Sequence, residues 1–191
     1  LYDGDQLIYI IAKHRFHNNQ LTGGVAGTLM TNLAIENSLQ KLGIPFKRAS
    51  VGDRYVLELL QENNWQLGGE GSGHIICADK HTTGDGIIAA LQVLYALRDT
   101  DKTLAESMGE VHLFPQKLIN VKIPKTFEFQ TNYSVQAKQQ EATQDLDGDG
   151  RVLLRASGTE PVVRVMVEGK DEGKVGYWAE QIANVVKSAA A

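Results

Sequence analysis

The chain has 191 residues, of which 42% are hydrophobic and 22% charged, a balance typical of a globular protein with one large domain or two small ones. Its net charge of −4 provides no basic field, so we expect neither a nucleic acid nor an acidic membrane as partner. No apolar run approaches the ~20 residues of a membrane helix. The one cysteine, Cys77, lies in an apolar run, which predicts a core thiol in a reducing, cytoplasmic compartment.

The first 110 residues alternate between predicted helices and strands. Asp5 is a candidate N-cap for a helix over 5–15. The following elements are predicted from apolar spacing and from bounding glycines and prolines: a buried strand at 23–27, a helix at 29–42, a strand at 46–51, a helix at 55–60, strands at 66–69 and 74–78, a helix at 87–95 and a capped helix from Thr103. Such alternation is typical of a parallel α/β layer.

A different pattern begins after Phe114 and Pro115. The predicted elements there are a strand at 118–123, a helix at 134–145, strands at 151–155 and 162–168 joined by a tight loop, and an amphipathic helix at 175–189. Strands paired as a hairpin and covered by helices on one face indicate a small α+β domain. We therefore expect an α/β domain with a mainly parallel sheet over 1–114 and an α+β domain over 115–191.

The loop between the last two strands has the composition of a phosphate site. If these strands pair, Arg155 and Arg164 both lie beside the turn. The turn adds hydroxyl donors and a flexible backbone through Ser157, Gly158 and Thr159. Two guanidiniums, two hydroxyls and a backbone nest favour a phosphate ligand. An exposed hairpin whose arginines pair with Glu160 and Glu168 is an equally good interpretation of these residues.

A second candidate site is the glycine-rich segment 68–74. Its polar side chains occupy alternate positions, Glu70, Ser72 and His74, and in an extended loop they would point the same way. A carboxylate beside a hydroxyl can hold vicinal sugar hydroxyls, and His74 can move a proton or donate to an anion. By themselves these residues favour the simpler interpretation, a hairpin turn with a capped histidine.

Together the two segments resemble the α-D-phosphohexomutase family. The motif Arg155-x-Ser157-Gly158-Thr159-Glu160-Pro161-x-x-Arg164 is similar to its C-terminal phosphate-binding loop, and Gly69-Glu70-x-Ser72-Gly73-His74 to its sugar-binding loop. Segments 27–32, 51–56 and 83–86 resemble the branch that acts on glucosamine phosphates. The resemblance covers essentially the whole chain and implies the family's third domain, an α/β layer, followed by its fourth, a small α+β lid.

The resemblance also implies roles for individual residues. Glu70 and Ser72 would hold sugar hydroxyls, His74 is a candidate acid or base, and Asp53 and Arg54 are possible substrate contacts. The implied phosphate-binding residues are Arg155, Ser157, Gly158, Thr159 and Arg164. In this family a phosphoserine donates its phosphoryl group to a sugar monophosphate and regains one from the bisphosphate intermediate. The net result moves phosphate between C6 and C1.

Two parts of that machinery have no match in this sequence. The family's phosphoserine loop belongs to its first domain and its Mg²⁺-binding Asp-Gly-Asp-Gly-Asp loop to its second. We therefore expect Mg²⁺ to bind outside this chain and the preceding domains of the same protein to be its partners. The chain starts at Leu1 within helix-like sequence, which suggests that it is part of a longer protein. Alone it should bind phosphosugar without turning it over.

The segment 145–150 imitates the magnesium loop and also the start of a calcium-binding EF loop. It precedes the phosphate-loop strand, and Ala156 stands where an EF loop needs its bidentate glutamate. We interpret it as a solvated turn. Two alternatives for the chain's function stay open, namely the branches of the family that act on glucose or mannose phosphates, and a non-catalytic phosphosugar-binding module.

Overall fold

The computed structural model describes residues 1–124, 126–158 and 160–190, which divide into two compact units, Leu1–Leu113 and Phe114–Ala191. The elements of unit 1 are α1 Gly4–His17, β1 Val25–Thr28, α2 Leu33–Lys41, β2 Phe46–Ala49, α3 Asp53–Asn63, β3 Leu67–Gly69, β4 Ile75–Cys77, α4 Gly86–Thr100 and α5 Leu104–Met108. Those of unit 2 are β5 Gln116–Lys122, α6 Tyr133–Leu146, β6 Gly150–Ala156, β7 Val162–Gly169 and α7 Glu172–Ala189.

The sheet of unit 1 has the strand order β2-β1-β3-β4. Strand β1 runs parallel to both β2 and β3, whereas β4 pairs with β3 in the antiparallel direction. Helices cover both faces of the sheet, and β1, β3 and β4 are buried throughout, whereas the edge strand β2 carries Lys47 and Arg48. One core cluster includes Ile11 of α1 and Leu39 of α2, and another includes Val56 and Leu60 of α3. The predicted, mainly parallel α/β layer is confirmed.

The cap of the first helix lies two residues earlier than the sequence predicts, and the helix begins at Gly4. Asp3, not Asp5, is the N-cap: its side chain accepts from the Gln6 amide at 3.0 Å, and Gln6 accepts from the Asp3 amide at 3.1 Å. The assignment of Asp5 as the cap is therefore wrong. Gly4 allows this early start, since a Cβ there would lie 2.0 Å from the Glu70 carbonyl oxygen. Asp5 falls in the first turn and is buried.

The sheet of unit 2 is antiparallel, with β7 between β5 and β6. Val163, Val165 and Val167 alternate along one face of β7 and are completely buried. They belong to the same core cluster as Trp178 and Ile182 of α7. This arrangement confirms the predicted α+β domain. Across the described part of the chain, none of the helices combines the length and apolar character needed to cross a membrane.

Candidate functional site

The polar segments of unit 1 gather at one edge of its sheet. Because β1, β2 and β3 are parallel, their carboxyl ends share that edge. The turn 28–32 follows β1, Gly52 follows β2, and the glycine loop 69–74 follows β3. Ligands of open α/β sheets bind outside the carboxyl ends of the strands, so this edge is the candidate sugar-binding region.

The glycine loop is a tight turn, as the residues by themselves favour, and not an extended loop. The Glu70 amide donates to the His74 carbonyl at 3.1 Å, and the Gly73 amide donates to the Glu70 carbonyl at 3.0 Å. Gly73 has φ 98°, a conformation that favours glycine. The extended loop in which Glu70, Ser72 and His74 would point the same way is therefore not formed. Glu70 and His74 stand at the two ends of the turn, and Ser72 lies exposed between them.

Glu70 connects the glycine loop to the segment after β2. The Gly52 amide donates to Glu70 Oε1 at 3.0 Å, and the Glu70 side chain is half-buried. A carboxylate can accept several hydrogen bonds, so this one leaves capacity for a ligand hydroxyl. The bond also brings the start of α3 beside the loop.

His74 and Asp53 face each other at the same edge. His74 Nε2 lies 3.4 Å from Asp53 Oδ2, with 41% and 54% of the two side chains exposed. Gly84 packs on the imidazole, since a Cβ there would lie 2.2 Å from Nε2. An accessible imidazole oriented by a carboxylate has the chemistry of a proton donor or acceptor. Segment 83–86 thus packs against the candidate sugar-binding region through Gly84.

Arg54 pairs through its side chain along its own helix and not with His74 or Asp53. Its Nε pairs with Glu58 Oε1 at 2.8 Å, one turn along α3, and its side chain is 80% exposed. The pairing with Glu58 raises the pKa of the Arg54 guanidinium. A substrate contact by Arg54 stays a prediction.

Sequence reasoning missed the importance of Asp5 at this edge. Asp5 Oδ2 accepts from the Asn32 amide at 2.8 Å, and the carboxyl is 4% exposed. Burial raises its pKa to about 6, although the bond from Asn32 opposes the shift. A second acid two residues after the capping residue is the sequence signal that indicates a role other than capping.

The predicted phosphate-binding residues lie at the closed end of the β6–β7 hairpin. Arg155 and Arg164 are directly opposite one another in the register, so the expectation that both lie beside the turn is confirmed. The turn is closed by the Ser157 amide, which donates to the Val162 carbonyl at 2.8 Å. Ser157 Oγ is buried without a hydrogen-bond partner among the described residues. Gly158 is exposed, and Thr159 lies outside the described residues.

Glu168, one of the two alternative partners of these arginines, is engaged elsewhere. Glu168 is completely buried and accepts from Arg151 Nε and, at 3.0 Å, from Gln116 Nε2. Arg151 and Glu168 face each other nearer the open end of the hairpin. Within the described ranges, the half-buried Arg164 side chain forms neither an ion pair nor a hydrogen bond. Its guanidinium is therefore available to an anion.

The acidic segment 145–150 forms the C-terminal end of α6 and the turn that follows it. Asp145 accepts from Trp178 Nε1 at 2.8 Å and from Lys174 Nζ at 3.2 Å, and these two donors lower its pKa. Asp149 pairs with Lys170 at 2.6 Å, while Asp147 ends α6 in the left-handed conformation. Over residues 1–124, 126–158 and 160–190, no three His, Cys, Asp or Glu side chains are grouped to hold a metal ion.

Comparisons with known proteins agree with this architecture. The phosphoglucosamine mutases of Nitrosospira multiformis and Nitrosomonas europaea are 70% and 65% identical over 191 residues. The chain spans only 41% and 42% of their lengths, respectively. A crystal structure of Aspergillus fumigatus N-acetylphosphoglucosamine mutase in complex with GlcNAc-6P and magnesium matches with a TM-score of 0.83 and 21% identity, covering 99% of this chain and 44% of that one. That likeness supports the fold.

Family models match both parts of the chain. The α/β/α domain III of phosphoglucomutase/phosphomannomutase matches residues 3–114, and the C-terminal domain of the same family matches residues 118–185. The resemblance to the phosphohexomutases is thereby confirmed. The chain belongs to the phosphoglucomutase/phosphomannomutase family, of which it contains domain III and the C-terminal domain.

Proposed function

We propose that this chain is the sugar- and phosphate-holding part of a phosphoglucosamine mutase. The whole protein would interconvert glucosamine 6-phosphate and glucosamine 1-phosphate through a bisphosphate intermediate. The observation that carries the proposal is the pair Arg155 and Arg164, opposed at the end of a hairpin. The choice of glucosamine rests on the two relatives of 70% and 65% identity that carry this name.

In this proposal unit 2 holds the phosphate that is not reacting. Two guanidiniums opposite one another repel unless an anion lies between them, and a phosphate offers oxygens to both. The Ser157 hydroxyl, buried and without a described partner, is a third donor. The exposed backbone of Gly158 is a fourth, and Thr159 is proposed from the motif alone. Binding energy from this remote group positions the reacting one, and as a lid unit 2 would enclose the intermediate.

Unit 1 would bind the sugar ring. Glu70 accepts one bond from Gly52 and has capacity for ring hydroxyls, and the exposed Ser72 adds a hydroxyl. His74, oriented by Asp53, is proposed as the group that donates or accepts a proton at the sugar oxygen. Arg54 is proposed only as an outer contact, since Glu58 already engages it.

The phosphoryl transfer itself would be performed by a phosphoserine and Mg²⁺ held by the preceding domains. When bound there, Mg²⁺ would neutralise charge on the phosphoryl oxygens. This chain's own contribution is binding and orientation of the substrate. A cytoplasmic location follows from the same proposal, because sugar phosphates are metabolised there, and it stays a prediction.

The direct test assays the full-length protein on three substrates in parallel. We expect the highest kcat/KM with glucosamine 6-phosphate and lower values with glucose and mannose phosphates. A preference for glucose or mannose phosphate would assign the protein to another branch of the family. Absence of turnover on all three, with an intact phosphoserine loop, would favour a phosphosugar-binding module.

A further inference from the structure

The Asp5 carboxyl is the most unusual polar group of unit 1. It is 4% exposed, and no described ion pair includes it. Its Oδ2 accepts from the Asn32 amide at 2.8 Å. Its Oδ1 is buried and has no hydrogen-bond partner among the described residues. A buried carboxylate that is only partly hydrogen-bonded is costly to keep charged.

The Asp5 carboxyl packs against the backbone of the glycine loop. The Gly4 amide donates to the Gly71 carbonyl at 2.9 Å, so the first turn of α1 is fixed against the loop. A Cβ on Gly71 would lie 3.3 to 3.4 Å from the carboxyl atoms of Asp5. The loop backbone that carries Glu70 therefore rests directly on this carboxyl.

The same carboxyl holds a second segment of the sheet edge. Through Asn32 it fixes the turn 28–32 at the end of β1. From the other side, Arg48 Nη1 donates to the carbonyls of Thr28 at 2.9 Å and Thr31 at 2.7 Å. Asp5 thus joins two segments, the turn and the glycine loop, that come from different strands.

The ionised, buried carboxylate of Asp5 lowers the free energy of unfolding at neutral pH. Burial raises the pKa of Asp5 from 3.8 to about 6 and Asp3 adds to the rise, while hydrogen bonds with Asn32 and Thr31 and the charge of Arg48 oppose it. Arg48 is itself paired with Glu36 at 2.5 Å. Between pH 3.8 and 6 the folded chain binds more protons at Asp5 than the unfolded chain. Stability therefore falls as pH rises through this range. An ionised group kept against stability indicates a functional role.

We propose that Asp5 is a positioning residue whose carboxylate holds the glycine loop and the turn 28–32 in the geometry that presents Glu70 to the sugar. The proposal rests on the proposed function. Oδ2 must be an acceptor, because it takes the Asn32 amide, and the two oxygens lie 3.3 and 3.4 Å from the place where a Gly71 Cβ would stand. An asparagine keeps one acceptor but replaces the other oxygen by an N–H₂ group, which changes how the side chain meets the loop backbone.

The test compares the full-length wild-type protein with Asp5→Asn from pH 5 to 8, using glucosamine 6-phosphate as substrate. The ratio of the two kcat/KM values cancels the titration of the substrate phosphate, which has its own pKa near 6. We expect this ratio to be roughly ten-fold at pH 8 and within about two-fold at pH 5. We expect Tm to change in the opposite sense, with wild type losing stability relative to the variant as pH rises.

Asp79→Asn is the matched control. Asp79 pairs with Arg15 at 3.0 Å and follows β4, whose other end carries His74. Loss of the ion pair between Asp79 and Arg15 should lower Tm and leave kcat/KM unchanged. A merely structural Asp5 would behave in the same way, with a change in Tm and a kcat/KM ratio near one at every pH.

Each outcome decides between the two proposals. Wild-type protein without turnover overturns the proposed function, and the role of Asp5 with it. Wild-type turnover with a ratio near one at pH 8 overturns the role of Asp5 alone. If Asp5→Asn does not fold, Gly71→Ala tests the same contact from the loop side. It should cost roughly ten-fold in kcat/KM, and an unchanged value would overturn the proposal.

Discussion

The substitution Arg164→Lys is the sharpest test of the phosphate site. Arg164 is half-buried, lies directly opposite Arg155 and forms no ion pair within the described ranges. Lysine keeps the positive charge, so the repulsion between the two strands is preserved. What it removes is the planar fork that can bind two phosphate oxygens at once.

The magnitude follows from the group that is lost. A hydrogen bond to a charged partner contributes roughly 1.5–3 kcal/mol, which corresponds to about ten- to a hundred-fold in binding. Because the remote phosphate is held in both ground state and transition state, most of this loss should appear in KM. Stability should change by less than about 0.5 kcal/mol, since no internal partner loses its bond.

The assay is steady-state kinetics of the full-length protein on glucosamine 6-phosphate, with Tm measured on the same samples. Arg151→Lys is the matched control, because Arg151 lies on the same hairpin and pairs with the buried Glu168. It should lower Tm and leave KM within about two-fold. Wild-type kinetics for Arg164→Lys, or a loss of folding, would refute the reasoning and make Arg164 a structural residue.

Three further predictions concern the rest of the chain. Glu70→Ala in the full-length protein should reduce kcat/KM on the sugar phosphate while inhibition by inorganic phosphate stays unchanged, because the carboxylate bound to Gly52 belongs to the sugar edge; normal kcat/KM would contradict this. The 191-residue chain alone should show no turnover of glucosamine 6-phosphate, with or without Mg²⁺, since positioning does not replace a nucleophile; product formation by contaminant-free chain would disprove it. Calcium and magnesium should leave its Tm unchanged, because Asp145 and Asp149 are already paired; a calcium-dependent rise abolished by Asp147→Ala would identify a metal site there.

The local patterns of the sequence determined much of unit 2. The strands predicted at 151–155 and 162–168 with a tight loop between them placed Arg155 and Arg164 beside the turn without knowledge of any distant segment. The amphipathic pattern over 175–189 likewise predicted α7, whose Trp178 is 5% exposed. Hairpin register and helix periodicity depend on neighbours in sequence, so these features could be read from the residues.

Only the tertiary structure shows which segments form the candidate sugar-binding region. Glu70 meets Gly52, His74 meets Asp53, and Gly84 packs on His74, because parallel strands bring the ends of separate segments to one side of the sheet. The sequence predicted Asp5 as the cap of α1, whereas the cap is Asp3. The contact of Gly4 with the loop backbone selected Asp3 and left Asp5 buried. A local signal cannot distinguish two such acids when the difference between them is a contact made about 65 residues away.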